Sequence, residues 1–110
     1  MQSWRRLTPL DSIASNGVKE ERIYYVYILQ SEKDSAFYTG YSEDLKNRLS
    51  DHSKGKVPST KNRLPVKRVY YEACLNQQDA THREKYLKTA WGKRYIKTRL
   101  KNYLIGVEGK

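Results

Sequence analysis

The sequence is short of several things that would each announce a function. It has one cysteine, Cys74, in 110 residues, so no intrachain disulfide is possible, and a reducing cytoplasm is the expected compartment. Cys74 falls in an apolar strand pattern and reads as a small core residue. One cysteine and two histidines cannot supply zinc ligands at a standard spacing. No apolar run reaches the roughly 18 to 20 residues that span a membrane, and no apolar block follows Arg5 and Arg6, so a secretory signal is not expected. There is no glycine-rich phosphate loop with a following Lys-Ser/Thr, no convincing Ser-His-Asp set, no internal repeat and no low-complexity tract.

Positive charge, in contrast, is plentiful. Lys and Arg outnumber Asp and Glu by 22 to 12, a formal net charge of +10. Sixteen of the basic residues lie between Lys46 and Lys101, inside the part expected to fold, which argues for a charged surface rather than a tail. Such a surface favours polyanions, most simply nucleic acid. DNA is the expected partner, with RNA left open; no membrane is implied, and a monomer or weak oligomer is expected. The length suits one domain.

Residues 1–22 carry no clear period and read as a flexible extension. The domain is expected over 23–104, with 105–110 as a tail. Ile23 to Leu29 is aromatic and β-branched and predicts a strand, with Tyr25, Tyr27 and Leu29 on one face and Tyr24, Val26 and Ile28 on the other. A polar turn leads to a second strand, Ala36 to Tyr41. Ser42-Glu43-Asp44 predicts a helix start, with Ser42 as the cap, and Lys54-Gly55 its end. In that helix Leu45 and Leu49 point inward. Arg48 and His52 form a second stripe about 60° away, at the rim of the buried face. A basic loop follows, and Val66 to Leu75 predicts a third strand with Val69, Tyr71 and Ala73 on one face. Asn76 predicts a cap for a helix to Ala90 or Trp91, with Ala80, Leu87, Ala90 and Trp91 as its apolar stripe. Gly92 interrupts the pattern, and a last helix runs from about Lys93 to Leu104. The expected fold is α+β: a three-stranded antiparallel sheet flanked by helices, in the order β-β-α-β-α-α.

Glu84 is the anomaly. It falls about 40° from Ala80 and about 20° from Trp91, inside the apolar stripe, where a lone charge is costly. Two readings compete: an ion pair with Arg48 or a nearby lysine, or a metal ligand, since one carboxylate with waters and a substrate phosphate is a usual Mg²⁺ arrangement. Tyr27 and Tyr38 are core or rim residues by default. As proton handlers they would need positive charge nearby, because free tyrosine has a pKa near 10. Lys54, Lys56, Lys61 and Arg63 in the loop, and Arg83, Lys88, Lys93 and Arg94 near the later helices, can track phosphates. Tyr86, Trp91 and Tyr95 lie among them as base-stacking or core residues.

Taken together, Tyr25-Val26-Tyr27, Tyr38-Thr39-Gly40, Arg48, His52 and Glu84 resemble the motifs of the GIY-YIG endonuclease superfamily. The likeness covers about Tyr24 to Leu104 and is closest to small stand-alone members similar to the N-terminal nuclease module of excinuclease. Asn102 is a weaker match to an asparagine some members carry. Tyr25 stands where the first triplet has glycine, Thr39 where the second has an aliphatic residue, and Asn47 where some members have lysine. The resemblance implies metal-dependent hydrolysis of a phosphodiester. Glu84 would hold Mg²⁺ or Mn²⁺, and Arg48 would stabilise developing charge. Tyr27 would be the base, with Tyr38 or His52 as alternatives. It also implies weak sequence specificity or selection of a DNA structure. The competing expectations are a nucleic-acid-binding module without cleavage and a small structural protein of an RNA assembly.

Overall fold

The computed structural model describes residues 22–108; the expected extension lies almost wholly outside them. Strand β1 (Tyr24–Ser31) is buried from Val26 onward, because it is the middle of a three-stranded sheet ordered β2-β1-β3 and is covered on both faces. Strands β2 (Phe37–Ser42) and β3 (Val66–Cys74) flank it, both antiparallel to it. The helices are α1 (Leu45–Ser53), α2 (Gln77–Leu87), α3 (Ala90–Arg99) and α4 (Lys101–Glu108). The expected α+β fold and element order hold, with the last helix divided at Leu100. The expected end of the domain, Leu104, lies within α4.

Alternation along β1 sets the two layers. Val26 and Ile28 face α2 and α3 and form the core with Ala80, Leu87 and Ile96. Tyr27 points the other way, toward α1. Cys74 packs at the edge of the core, and burial raises its thiol pKa above the ordinary value, which suits a packing role.

Several local readings are corrected. The cap of α1 is Asp44, which accepts from the Asn47 amide at 3.2 Å, while Ser42 accepts from the Asp44 amide at 2.8 Å and shapes the turn before it. In β3 a register shift opposite Ile28 and Leu29 leaves Val69 beside Tyr70 against the core, not with Tyr71 and Ala73. A bulge inserts one residue and so breaks the two-residue period. The helix break falls at Lys88-Thr89, where Thr89 caps α3 by accepting from the Gly92 amide. Gly92 therefore lies inside α3. It is buried against the end of α2, where a Cβ would meet the Tyr86 carbonyl and the Leu87 backbone. The break also resets the helical phase. Trp91 leaves the apolar stripe and is 68 % exposed, and Ile96 is buried instead.

Candidate functional site

Four residues chosen from the sequence line one cavity of about 270 Å³: Tyr27, Arg48, His52 and Glu84. They come from three elements. Tyr27 is supplied by β1, Arg48 and His52 by successive turns of α1, and Glu84 by α2. The edge strand β2 lies between these contributions, and its Thr39 and Gly40 form part of the wall. Gly40 is opposite Tyr27 in the ladder, and the Tyr27 ring occupies the space where a side chain at 40 would begin.

His52 is deeper than the rim position its helical phase suggests: it is the one buried residue of α1. Both ring nitrogens are engaged. Nε2 lies 2.8 Å from the Tyr27 hydroxyl and Nδ1 2.8 Å from Thr60 Oγ1, so burial leaves neither unpaired. Burial, aided by the Arg48 charge, lowers the His52 pKa and favours the neutral ring. Burial raises the Tyr27 pKa; Arg48 opposes that rise and Glu84 adds to it. The tyrosine is thus placed between a cation that favours its phenolate and an apolar surround that does not.

Glu84 faces the cavity with about a fifth of its side chain exposed, and pairs with Lys88 one turn on at 3.2 Å. The ion pair with a nearby lysine is therefore present; the pair with Arg48 is not among the ion pairs of the described residues. No group of three or more His, Cys, Asp or Glu side chains that could cage a metal occurs among the described residues. A single carboxylate open to a wet cavity does fit a hard divalent ion that keeps several waters.

Tyr38 is two residues from Gly40 and pairs with Leu29 rather than Tyr27. It lines an adjoining cavity of about 260 Å³ with Phe37, Lys88 and Lys93, and the two cavities share Thr39, Ser59 and Lys88. Asn102 lines neither. Of the basic residues, Lys54, Lys56, Lys61, Lys93 and Arg94 are exposed. Arg63 is 3.4 Å from Asp34. Arg83 is held by Glu72 at 2.8 Å, with its guanidinium over the rings of Tyr86 and Tyr95. Sequence reasoning passed over Thr60. It is fully buried but sits in a basic, polar loop with no periodicity to mark it.

A three-stranded sheet with this cavity at its β2 edge defines a class, and the comparisons agree with it. The profile described as the GIY-YIG catalytic domain matches residues 23–101, and the chain belongs to that family. Among its relatives are small proteins that carry the name UPF0213. The UPF0213 protein SAG0778 of Streptococcus agalactiae is 43 % identical over 65 residues, covering 58 % of this chain and 73 % of the relative. The UPF0213 protein CPE1444 of Clostridium perfringens is also 43 % identical, covering 58 % and 69 %. The solution structure of the UPF0213 protein BH0048 from Bacillus halodurans is 30 % identical, covers 69 % of this chain and 83 % of its own, and superposes with a TM-score of 0.45. Among the described residues, no helix is long and apolar enough to cross a membrane.

Proposed function

We propose that this protein is a metal-dependent endonuclease that hydrolyses phosphodiester bonds in DNA, with RNA as the lesser candidate. The observation that carries this reading is the convergence of Tyr27, Arg48, His52 and Glu84 on one cavity. Tyr27 takes a proton from the attacking water. Arg48, always charged and rich in donors, binds the non-bridging oxygens and stabilises the charge that builds on them. Losing one such preorganised contact commonly costs on the order of 10² to 10³ in rate. Glu84 holds Mg²⁺ or Mn²⁺. Bound there, the ion would stabilise the leaving oxygen. Lys54, Lys56, Lys61, Arg63, Lys88, Lys93 and Arg94 track the backbone, with Arg83 available only on leaving Glu72. With no separate DNA-reading element in the domain, the substrate is chosen by structure, such as a nick, flap or branch, rather than by a defined sequence.

A second reading, nucleic-acid binding without cleavage, draws on the Glu84–Lys88 ion pair, which gives Glu84 a structural partner. The test is cleavage of labelled single-stranded, duplex and branched DNA with Mg²⁺, with Mn²⁺ and with chelator, beside Glu84→Ala. Metal-dependent cutting that the variant loses while it still binds supports the nuclease. Salt-sensitive binding by both proteins with no cutting by either supports the second reading.

A further inference from the structure

A buried polar chain runs from the cavity into the protein: Tyr27 hydroxyl, His52 imidazole, Thr60 hydroxyl, with 2.8 Å at each step. Tyr27 is 1 %, His52 4 % and Thr60 0 % exposed. A neutral imidazole has one donor and one acceptor nitrogen, so the chain can be ordered in two ways. They differ in what they leave unpaired.

Consider first the proton on Nδ1. It donates to Thr60 Oγ1, and Nε2 accepts from the Tyr27 hydroxyl. The Thr60 hydrogen is then without an acceptor in a fully buried position, since Thr60 Oγ1 bonds His52 alone among the described residues. An unpaired buried donor of this kind costs about 1 to 3 kcal/mol. With the proton on Nε2 instead, Thr60 donates to Nδ1 and Nε2–H donates to the Tyr27 oxygen. The one hydrogen left over belongs to Tyr27, which lines the cavity, where water or substrate can accept it. Only this second order satisfies every buried donor.

We propose that Thr60 is a positioning residue: its hydroxyl donates to His52 Nδ1, fixes the Nε2–H tautomer, and so makes His52 a donor to the Tyr27 oxygen rather than a base. The neutral state of His52 favoured by its burial is the state this requires. Arg48, which has donors only, acts on the same hydroxyl in the sense that favours the phenolate. The catalytic consequence rests on the nuclease reading. Tyr27 loses its proton to solvent through the cavity. Its phenolate, held by Nε2–H, takes a proton from the water that adds to phosphorus. The bond from phosphorus to the leaving oxygen breaks, and that oxygen is protonated from solvent. His52 keeps its proton throughout.

The test needs no cleavage. ¹⁵N-detected imidazole spectra of the full chain separate the two tautomers, and exposed His82 serves as the internal reference, since the sequence has two histidines. The expected wild-type result is a protonated Nε2 and a pyridine-like, hydrogen-bonded Nδ1. Thr60→Val should shift the Nδ1 resonance out of its hydrogen-bonded position, and Thr60→Ser should restore it. In parallel, Thr60→Val should slow DNA cutting by about tenfold, the lower end of what outer-shell partners contribute at catalytic centres, and Thr60→Ser should recover it. A wild-type proton on Nδ1 overturns the proposal, as do His52 resonances that Thr60→Val leaves in place. If Thr60→Val does not fold, the wild-type and Thr60→Ser spectra still decide. A wild-type protein that cuts nothing sinks the nuclease reading and leaves the tautomer result standing.

Discussion

Gly40 and Tyr27 face each other across the β1–β2 ladder, and the tyrosine ring fills the volume a side chain at 40 would need. The glycine of the second triplet thereby has a steric explanation. With a bare backbone at 40, the Tyr27 hydroxyl reaches His52 Nε2. Gly40→Ala should push the ring away from the histidine. The expected cost is about 1 to 3 kcal/mol of folding stability, as for other overpacked sites. Cutting should fall with little change in DNA binding, because the exposed basic residues are untouched. Urea unfolding beside binding and cleavage assays checks this. Unchanged cleavage in the folded variant would mean that Gly40 does not set the position of Tyr27.

Two helical glycines should respond in opposite directions to alanine. At Gly92 a Cβ meets the Tyr86 carbonyl and the Leu87 backbone, which cannot swing aside as a side chain does. Gly92→Ala should cost about 1 to 3 kcal/mol by prising α3 from α2. At Gly106, in α4, an added Cβ meets nothing within 4 Å. Gly106→Ala should stabilise by about 0.5 to 1 kcal/mol through helix propensity. Thermal unfolding of the pair is the measurement. A neutral Gly92→Ala would mean that the two helices can part at this contact without loss.

Glu72 accepts from the Arg83 fork at 2.8 to 3.2 Å and from the Tyr70 hydroxyl at 2.9 Å. The bonds from Arg83 lead the effects that lower the Glu72 pKa. A carboxylate depressed in the folded state contributes stability above its unfolded pKa, near 4.3, and loses it as pH falls through the lower folded value. Arg83→Ala should therefore destabilise at neutral pH by about 1.5 to 3 kcal/mol, the range for hydrogen bonds to charged groups. The deficit relative to wild type should shrink below about pH 4. Denaturant midpoints at neutral and acid pH measure it; a deficit independent of pH would assign the loss to ring stacking on Tyr86 and Tyr95 instead.

The sheet was legible because β1 carries apolar residues on both faces and its flanking strands alternate, so composition and period agree about which strand lies in the middle. The convergence of Arg48 and His52 with Tyr27 was legible too, from a four-residue helical spacing beside a strand tyrosine. Three features were not. The bulge at Val69 is a one-residue insertion that leaves no compositional mark. Gly92 reads as a helix breaker in one dimension, yet it is a contact point in three, and the exposure of Trp91 follows from the phase change at Thr89. Thr60 is the most consequential. A threonine between Ser59 and Lys61 in a basic loop has no period to place it. Only the folded loop, tied to β1 where Ser31 Oγ donates to the Arg63 carbonyl at 2.7 Å, brings it beneath His52.

Lys88 joins the two halves of the proposed function, because it pairs with Glu84 and also lines both cavities. Its ammonium competes with any cation for the one carboxylate available. The pair is partly exposed, so its worth is about 0.2 to 1 kcal/mol. Lys88→Ala should accordingly lower the Mg²⁺ concentration for half-maximal cutting by about 1.5- to fivefold. The same substitution removes a phosphate contact, so DNA affinity should fall, and the slope of log affinity against log salt should shrink by about one. Opposite movements of metal and DNA affinity are the signature to look for in titrations of the two proteins. If Lys88→Ala leaves metal dependence unchanged, Lys88 is a phosphate contact alone. If metal and DNA affinity weaken together, Lys88 instead holds Glu84 in place for the ion.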